Sequence, residues 1–322
     1  MPKTRMVTVA LPVLDGGALL ERVFESVRAQ RLDAEVELLV CDSGSRDGSV
    51  AAALRAGARV LEIPTGAFSH GGTRNLLVRE AAGTHIAFLT QDAFPADDRW
   101  LAALLGGFSL APDVALVTGP YLAAPDAMPW TRRELLEWFA RFEREAPGVV
   151  RLADLPGPGP SPASFHTDAN GAVARWAWER VPFREASYAE DQLLAMDMLR
   201  AGYAKVFRPE AAVVHSHEWG VVERARRSFD EFRGLREVYG HREPMSPRRL
   251  IGRARREAAR DRSFMRADGL GAAVLDRLTL EAFAHHLARG AGAALGTRAD
   301  VLPSALRGLA SLEQRRSFEP AQ

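Results

Sequence analysis

The sequence predicts an α/β fold with a mostly parallel central sheet flanked by helices, followed by a helical C-terminal extension. In the first half of the chain, short apolar runs alternate with amphipathic helical stretches, a pattern typical of right-handed βαβ units. After about Trp219 the strand signals stop, and the remaining sequence is helical in pattern and rich in arginine. We therefore predict an α/β domain over residues 1–220 and a helical region over residues 221–322.

The individual elements follow from the spacing of the apolar residues. The run "MVTVALPV" predicts the first strand, and a helix follows whose apolar face comprises Leu19, Leu20, Val23, Phe24 and Val27. Further strands are predicted at residues 36–42, 58–63 and 85–92, with helices at 49–57, 71–83 and 98–108. The proline- and glycine-rich residues 154–171 predict a long loop, which precedes a helix at 190–203 and a strand within 205–217.

Composition excludes several classes of function. Hydrophobic residues make up 47% of the chain and charged residues 26%, which is ordinary for a globular protein. A net charge of +1 argues against a nucleic-acid binder, and a single cysteine, Cys41, excludes a disulfide framework within the chain. Because neither a signal peptide nor a long apolar span is visible, we expect a cytoplasmic protein.

Polar side chains follow three of the predicted strands where each strand ends. They lie in Pro12–Asp15, Asp42–Asp47 and Gln91–Asp92. In parallel α/β sheets, ligands bind beyond the carboxyl ends of the strands. We therefore expect these three segments to converge and to form a binding site.

The segment "CDSGSRDGS" allows two interpretations. In one, it is a strand-to-helix turn in which Asp47 or Ser49 caps the helix. In the other, Asp42 accepts a hydrogen bond from a pyrimidine ring while nearby backbone N–H groups face phosphate. The usual phosphate-binding loops are absent, because the sequence has neither a Walker lysine motif nor G-x-G-x-x-G.

The segment "FSHGGTRN" is more specific for an anionic ligand. Its two glycines permit close backbone approach, and Arg74 and Asn75 open the next helix, where a diphosphate could meet an arginine and free N–H groups. The alternative is a glycine turn with Arg74 on the solvated surface.

Carboxylates and histidines elsewhere are candidates for proton transfer and metal binding. Glu190 and Asp191 begin a helix, where they either complement the helix dipole or supply a general base, and either residue could be that base. His215 and His217 share one side of a strand by its two-residue period. With Asp92 they form a candidate metal site, although Asp92 alone is equally well explained as a helix cap.

Taken together, these motifs resemble family-2 glycosyltransferases, most closely the bacterial rhamnosyltransferase branch. The resemblance covers roughly residues 5–240, and it rests on separated segments that occur in the family's order. They are "LPVLDGG", "CDSGSRDGS", "FSHGGTRN", "FLTQDA", "NGAVARWAWERVPFREASYAEDQLLAMDMLRAGY" and "PEAAVVHSH". The resemblance implies a GT-A fold, which is Rossmann-like, and an inverting transfer from a nucleotide-sugar donor that uses Mg²⁺ or Mn²⁺.

The resemblance also implies roles for individual residues. The nucleotide-sugar site would comprise Pro12, Leu14, Asp42, Ser43, Arg74, Gln91 and Asp92, with Arg74 approaching the diphosphate. Asp92 would bind the divalent metal with His215 as the second ligand and His217 as a neighbour. Asp191 would be the catalytic base, and the acceptor would lie against Trp178, Glu179 and Glu190.

Two positions depart from the family pattern. The D-x-D-type motif is reduced to Thr90-Gln91-Asp92-Ala93, so we expect weak metal binding without the donor and stronger binding with it. Leu14-Asp15-Gly16 stands where many relatives carry asparagine before glycine, which affects the predicted base contact.

The implied function is transfer of L-rhamnose from dTDP-rhamnose onto a hydroxyl of a glycan or lipid-linked glycan in bacterial surface polysaccharide synthesis. The alternatives are transfer of another hexose from a UDP or GDP donor, and a catalytically silent binding subunit. The arginine-rich residues 242–262 are either a solvated helix or a surface for anionic lipid, as a peripheral membrane enzyme would need. The apolar helix at 271–288 packs within the chain or forms a homodimer.

Overall fold

The computed structural model describes residues 6–186 and 188–313, and its centre is an eight-stranded, mostly parallel sheet. The strands are Met6–Val13 (β1), Glu35–Asp42 (β2), Arg59–Glu62 (β3), His85–Leu89 (β4), Phe94–Pro95 (β5), Val114–Thr118 (β6), Tyr121–Leu122 (β7), Val149–Val150 (β8), Asn170–Ala174 (β9), Ala204–Phe207 (β10) and Val213–Val214 (β11). The spatial order is β3-β2-β1-β4-β9-β6-β10-β8, in which β9 and β8 run antiparallel to their neighbours. The predicted fold class is confirmed.

Helices cover both faces of this sheet and form the C-terminal region. They are Gly17–Arg28 (α1), Ser49–Arg55 (α2), His70–Glu80 (α3), Trp100–Gly107 (α4), Pro129–Ala140 (α5), Phe142–Glu145 (α6), Arg175–Trp178 (α7), Glu190–Arg200 (α8), Val221–Tyr239 (α9), Pro247–Ala267 (α10), Ala272–Gly296 (α11) and Ser304–Ala310 (α12). The segment predicted as a long loop has no helix or strand between the 3₁₀ turn Leu152–Asp154, which ends at its first residue, and the start of β9.

The core forms two layers because the central strands are apolar on both faces. Val9 and Leu11 of β1 pack with α1 and α4, whereas Ala10 packs with α3 and α8 on the other side. Such strands, buried on both faces, are typical of parallel sheets. Leu19 was predicted to face this core, but its side chain is 44% exposed, because the buried stripe of α1 begins at Leu20.

The parallel register brings the carboxyl ends of β1 and β2 together, since Val13 pairs with Asp42. Strand β9 enters this edge from the opposite direction. Asn170 at its beginning pairs with Leu89 at the end of β4, and Ala174 at its end pairs with His85. Residues just before β9 therefore lie at the ligand-binding edge, and residues after it lie at the opposite edge.

A second, three-stranded sheet borders the ligand-binding edge, with the order β5-β11-β7. Val213 pairs with Pro95 and Tyr121, and the His215 N–H donates to the carbonyl of Leu122 at 2.9 Å. The sequence predicted one strand ending in two histidines. The structure has β10 and β11 in that segment, and both histidines follow β11.

The C-terminal helices pack as a layered group against the rest of the chain. Helix α11 contacts α9 and α10, and α10 also contacts α5. Leu275 and Leu278 of α11 are buried with Trp130, so this apolar helix has a partner within the chain. Within residues 6–186 and 188–313, no helix is both long and apolar enough to span a bilayer.

Candidate active site

The three strand-end segments converge as predicted and hold one another through specific hydrogen bonds. The side-chain amide of Gln91 accepts from the Leu14 N–H at 2.8 Å and donates to the Leu14 carbonyl at 3.0 Å. The Asp15 N–H donates to Ser45 Oγ at 2.9 Å, and the Gly17 N–H donates to Asp47 Oδ2 at 2.8 Å. These bonds fix the β1 loop, so that Leu14 is exposed at the floor of a cleft.

Asp42 and Ser43 lie deeper, at the end of β2. Asp42 Oδ1 accepts the N–H groups of Gly44 and Ser45 at 2.8 and 2.9 Å, whereas its buried Oδ2 has no hydrogen-bond partner within residues 6–186 and 188–313. Buried carboxylate oxygens are nearly always paired, but Asp42 and Ser43 do not line the cleft, so the predicted contact of Asp42 with a nucleobase stays a prediction. The Ser43 hydroxyl already donates to the Val13 carbonyl at 3.1 Å, and its predicted nucleotide contact stays a prediction.

Asp92, His215 and His217 form a cluster on one side of the cleft. Their ligand atoms lie within 4.8 Å of one another. His215 Nδ1 is 3.6 Å from Asp92 Oδ1, and His217 Nε2 is 3.4 Å from Asp92 Oδ2. The sequence could suggest this group because Asp92 follows β4 and the histidines follow β11.

The protonation states of the side chains in this cluster suit a divalent metal. Burial raises the pKa of Asp92, but His215 and His217 outweigh burial and hold that pKa below its ordinary value. Burial lowers the pKa of His215, and the charge of Asp92 only partly opposes this effect. The buried Nδ1 of His215 has no hydrogen-bond partner in the described part of the chain and faces Asp92. An ionised carboxylate and a neutral imidazole are the ligand forms that metals require, so these residues fit a metal site.

Arg74 organises a buried network of charges behind the cleft. Its Nε lies 2.7 Å from Asp168 Oδ2, and its Nη1 lies 2.7 Å from Glu190 Oε1. Nη1 also donates to the carbonyl of His70 at 3.1 Å. The side chain is almost fully buried, which contradicts the alternative of a solvated surface arginine. Arg74 lines the cleft, and its predicted contact with a diphosphate stays a prediction.

Asp191 lies beside this network at the start of α8 and lines the cleft. Its Oδ2 accepts the Asp168 N–H at 3.3 Å, and its Oδ1 accepts the Gln192 N–H at 2.7 Å. Burial raises the pKa of Asp191 well above its ordinary value, and the charges of Glu190 and Asp168 raise it further. Arg74 only partly opposes this effect. The arrangement therefore provides a carboxylate with enhanced proton affinity.

A strained turn fixes the position of the first residues of α8. Ala189, which precedes Glu190, has a φ of 61°, a left-handed conformation that is unusual for alanine. Helix α9 packs directly beneath this turn at Gly234, where a Cβ atom would lie 2.8 Å from the carbonyl oxygen of Tyr188. The close approach of α9 therefore helps to hold the turn in place.

Asp168 and His166 are site residues that the sequence reasoning missed. Asp168 is 1% exposed. Its side chain contacts Arg74, and its backbone N–H donates to Asp191. His166 Nε2 lies 3.6 Å from Asp168 Oδ1. Both residues belong to the segment predicted as a long loop. The signal that could have found them was the "HTDAN" sequence, whose last residue begins β9, because an antiparallel β9 starts at the ligand-binding edge.

Trp178 and Glu179, predicted to face the acceptor, are not brought to the cleft. They follow β9, whose antiparallel direction places its end at the opposite edge of the sheet. Trp178 is buried in the core and donates its indole N–H to Asn75 Oδ1 at 2.8 Å, and Glu179 is exposed to solvent. Glu190 does line the cleft, but its carboxylate is held by Arg74.

One continuous cleft of about 1430 Å³ joins these groups and extends to the C-terminal helices. Pockets for a single drug-sized ligand occupy about 300–1,000 Å³, so this cleft has room for two substrates. The Asp92 cluster and Asp191 both line it. A mostly parallel sheet with an acidic and histidine-rich site at its carboxyl edge, and a second carboxylate in the same cleft, agrees with the GT-A glycosyltransferase fold that the motifs imply.

Comparison with known proteins assigns the family. The model of "Glycosyl transferase family 2" matches residues 8–171, and the chain belongs to this family. The chain is 33% identical over 230 residues to the O-antigen chain rhamnosyltransferase RfbN of Salmonella typhimurium, which covers 70% of both chains. It is 28% identical over 228 residues to the O-antigen chain rhamnosyltransferase WbaN of Salmonella anatum, which covers 69% of this chain and 70% of the relative.

A solved structure supports the fold independently. The mannosyltransferase PcManGT from Pyrobaculum calidifontis, in complex with GDP-Man and Mn²⁺, superposes with a TM-score of 0.62. The match covers 94% of this chain and 89% of that chain at 20% sequence identity. The GT-A fold predicted from the motifs is therefore confirmed, and the helical C-terminal region lies within the matched part.

Proposed function

We propose that this enzyme is a metal-dependent, inverting glycosyltransferase that moves L-rhamnose from dTDP-L-rhamnose onto a hydroxyl of a glycan acceptor in bacterial surface polysaccharide synthesis. The observation that carries the proposal is the presence, in one cleft, of a metal-ligating cluster and a carboxylate with raised proton affinity. The names of the two Salmonella relatives support rhamnose as the sugar and O-antigen as the product class.

The donor would bind across the carboxyl edge of the sheet. Leu14, held by Gln91, and the unpaired oxygen of Asp42 would offer contacts to the nucleobase. Asp92, His215 and His217 would hold the metal ion. When bound there, a divalent ion neutralises the charge that develops on the departing diphosphate.

Asp191 would take the proton from the acceptor hydroxyl. A general base must reach the hydroxyl and must be deprotonated in the resting enzyme, and its raised pKa makes it a stronger proton acceptor. Arg74, Asp168 and the strained turn at Ala189 hold its orientation. A single in-line displacement would then invert the anomeric carbon.

The acceptor would be a glycan or lipid-linked glycan, and peripheral membrane contact is part of the proposal. Arginines on α10 support this contact because several of them are exposed: Arg248, Arg249, Arg255, Arg256 and Arg266. Others on the same helix are engaged in ion pairs within the chain, such as Arg262 with Asp276 at 2.6 Å. Sedimentation with anionic and with neutral vesicles tests the contact, and equal recovery on both would remove it from the proposal.

The deciding experiment is turnover with a panel of nucleotide sugars and a lipid-linked glycan acceptor. We expect dTDP-L-rhamnose to be the best donor, with configuration inverted in the product. If a UDP- or GDP-hexose were preferred, the donor assignment would be wrong while the transferase class would stand. If no nucleoside diphosphate raised the melting temperature with or without Mn²⁺, the donor-binding role itself would fail.

A further inference from the structure

A second group of metal-ligating side chains lies away from the Asp92 cluster, where the cleft meets the C-terminal helices. Glu134 projects from α5, and His285 and His286 project from α11. Their ligand atoms lie within 4.8 Å of one another. This group has no part in the transfer reaction described above.

The distances within the group are close to those of a coordinated ion. Glu134 Oε1 lies 3.5 Å from His286 Nδ1, and Glu134 Oε2 lies 4.0 Å from His285 Nε2. The bond lengths of tetrahedral zinc place two of its ligand atoms about 3.3 Å apart. Small side-chain rotations are therefore sufficient to bring the three ligands around one ion.

A buried carboxylate already orients one of the histidines. His286 Nε2 lies 2.6 Å from Oδ2 of Asp261, which is fully buried. The other oxygen of Asp261 is held by Arg133 Nε at 2.6 Å. Metal-ligating histidines usually donate their second ring N–H to a carboxylate in this manner. A proton on Nε2 leaves the lone pair of His286 Nδ1 directed toward Glu134.

The other histidine has an unused nitrogen that is aimed at the same point. His285 is 7% exposed, and its Nε2 has no hydrogen-bond partner in the part of the chain that the structure describes. Leaving a buried ring nitrogen unpaired is unusual and costs free energy. Trp130 packs against this ring at a centroid distance of 5.5 Å and limits its rotation.

Two arginines lie beside the carboxylate and provide a competing explanation. Arg224 Nη2 lies 3.5 Å from Glu134 Oε2, and Arg289 is also near. If Glu134 served only to neutralise Arg224 and Arg289, the neighbouring histidines would bind no metal.

We propose that Glu134, His285 and His286 bind a divalent transition-metal ion, of which Zn²⁺ is the best match. Two imidazoles and one carboxylate favour Zn²⁺ or Co²⁺ over Mg²⁺ and Ca²⁺, which prefer all-oxygen sites. The ion connects α5 of the α/β domain to α11 of the C-terminal region. It therefore stabilises the end of the cleft that lies against the C-terminal helices, and it takes no part in proton or sugar transfer.

The test is a Co²⁺ titration of the full chain carrying Asp92→Ala, without nucleotide, followed by visible absorption. The substitution silences the Asp92 cluster, so the remaining site is measured alone. We expect saturable binding of one equivalent, d–d bands of a low-coordinate site, and displacement of Co²⁺ by Zn²⁺. Zn²⁺ should also raise the melting temperature of this variant, because a ligand that binds only the folded state stabilises it.

Matched variants in the same Asp92→Ala background locate the site. His285→Ala should abolish the saturable absorption, and it breaks no hydrogen bond that the structure describes at Nε2. His241→Ala is the control, because His241 lines the same cleft but pairs with Glu243 at 3.3 Å, outside the group. Absence of saturable Co²⁺ binding, or binding that survives His285→Ala, would overturn the proposal. Stabilisation by inorganic phosphate instead of Zn²⁺ would also overturn it, since the arginines would then define an anion site.

Discussion

Replacing Glu190 with glutamine distinguishes the roles of the two carboxylates that begin α8. The sequence leaves either residue as the base, but the structure gives them different surroundings. Glu190 is 5% exposed, and its Oε1 lies 2.7 Å from Arg74 Nη1, so its charge is already engaged. The carboxylate of Asp191 accepts two backbone N–H groups and lines the cleft. We therefore expect Glu190→Gln to keep the base, and Asp191→Asn to remove it.

The magnitude of each effect follows from these contacts. The glutamine keeps the shape of the side chain and an oxygen that accepts from Arg74, so a charged hydrogen bond becomes a weaker one. A hydrogen bond to a charged group contributes about 1.5–3 kcal/mol and a neutral one about 1 kcal/mol, and Arg74 stays charged in the variant, so Glu190→Gln should cost at most about 2 kcal/mol of stability. Loss of the true base should cost about 10²–10⁴ in turnover.

The pH profile provides a second, independent signature. Burial raises the pKa of Asp191 first, and the charges of Glu190 and Asp168 add to that effect. A base works only when deprotonated, so activity is lost as the pH falls through this raised pKa. Because Glu190→Gln removes a negative charge beside Asp191, it lowers that pKa. The acid limb of kcat/KM should therefore move to lower pH.

The assay is release of the nucleoside diphosphate, measured as kcat/KM across pH for each variant. Asp197→Asn is the matched control, since Asp197 lies on the same helix and pairs with Arg184 near the surface at 2.7 Å. Its acid limb should stay in place. The reasoning would be refuted if Glu190→Gln lost turnover by about 10² or more at every pH while Asp191→Asn remained active. An unshifted acid limb would refute the electrostatic part alone.

Three further predictions concern the metal, a buried lysine and the acceptor. Asp92→Ala should abolish the extra rise in melting temperature that Mn²⁺ gives in the presence of nucleotide, and an unchanged Mn²⁺ response would remove Asp92 from the ligand set. Burial lowers the pKa of Lys205 to about 7. Above that pH the unfolded chain therefore binds more protons than the folded protein, and the free energy of unfolding should rise by up to about 1.4 kcal/mol per pH unit. Urea unfolding measured from about pH 7 to about pH 9 should show this rise in the wild type and not in Lys205→Met. A free energy of unfolding that changes equally with pH in both proteins would contradict the prediction. Glu179→Gln should leave the acceptor KM unchanged, because this exposed residue lies at the edge of the sheet opposite the cleft, and a raised KM would restore its predicted role.

The sequence was sufficient for the parts of the site that lie at the ends of parallel strands. Pro12–Asp15, Asp42–Asp47 and Asp92 each follow an apolar run, and the rule that ligands bind at the carboxyl edge places them together. His215 and His217 were identifiable as a pair, although they follow a two-residue strand of a separate small sheet. The physical reason is that residues at strand ends are fixed by local pattern and by strand direction.

Strand β9 was not predicted, and neither was its direction, which explains both the missed residues and the misplaced ones. A short apolar run, "NGAVA", carries no information on whether it runs parallel or antiparallel to its neighbours. A parallel β9 would have brought Trp178 to the cleft and taken Asp168 away from it. The ion-pair partners of Arg74 could not be predicted for a related reason. Asp168 is 94 residues away in sequence and is brought to Arg74 only by the tertiary fold.

The charge balance around Asp191 gives the buried network a chemical consequence. Arg74 contributes one positive charge between Asp168 and Glu190, so these three side chains carry a net negative charge before Asp191 is counted. Burial is the largest cause of the raised pKa of Asp191, and repulsion from the neighbouring carboxylates raises it further. Uptake of a proton from the acceptor hydroxyl relieves that repulsion at the moment when the hydroxyl oxygen must become a nucleophile. The repulsion in the ionised resting state is therefore relieved during the reaction. Arginine suits position 74 because its planar guanidinium can contact both carboxylates at once.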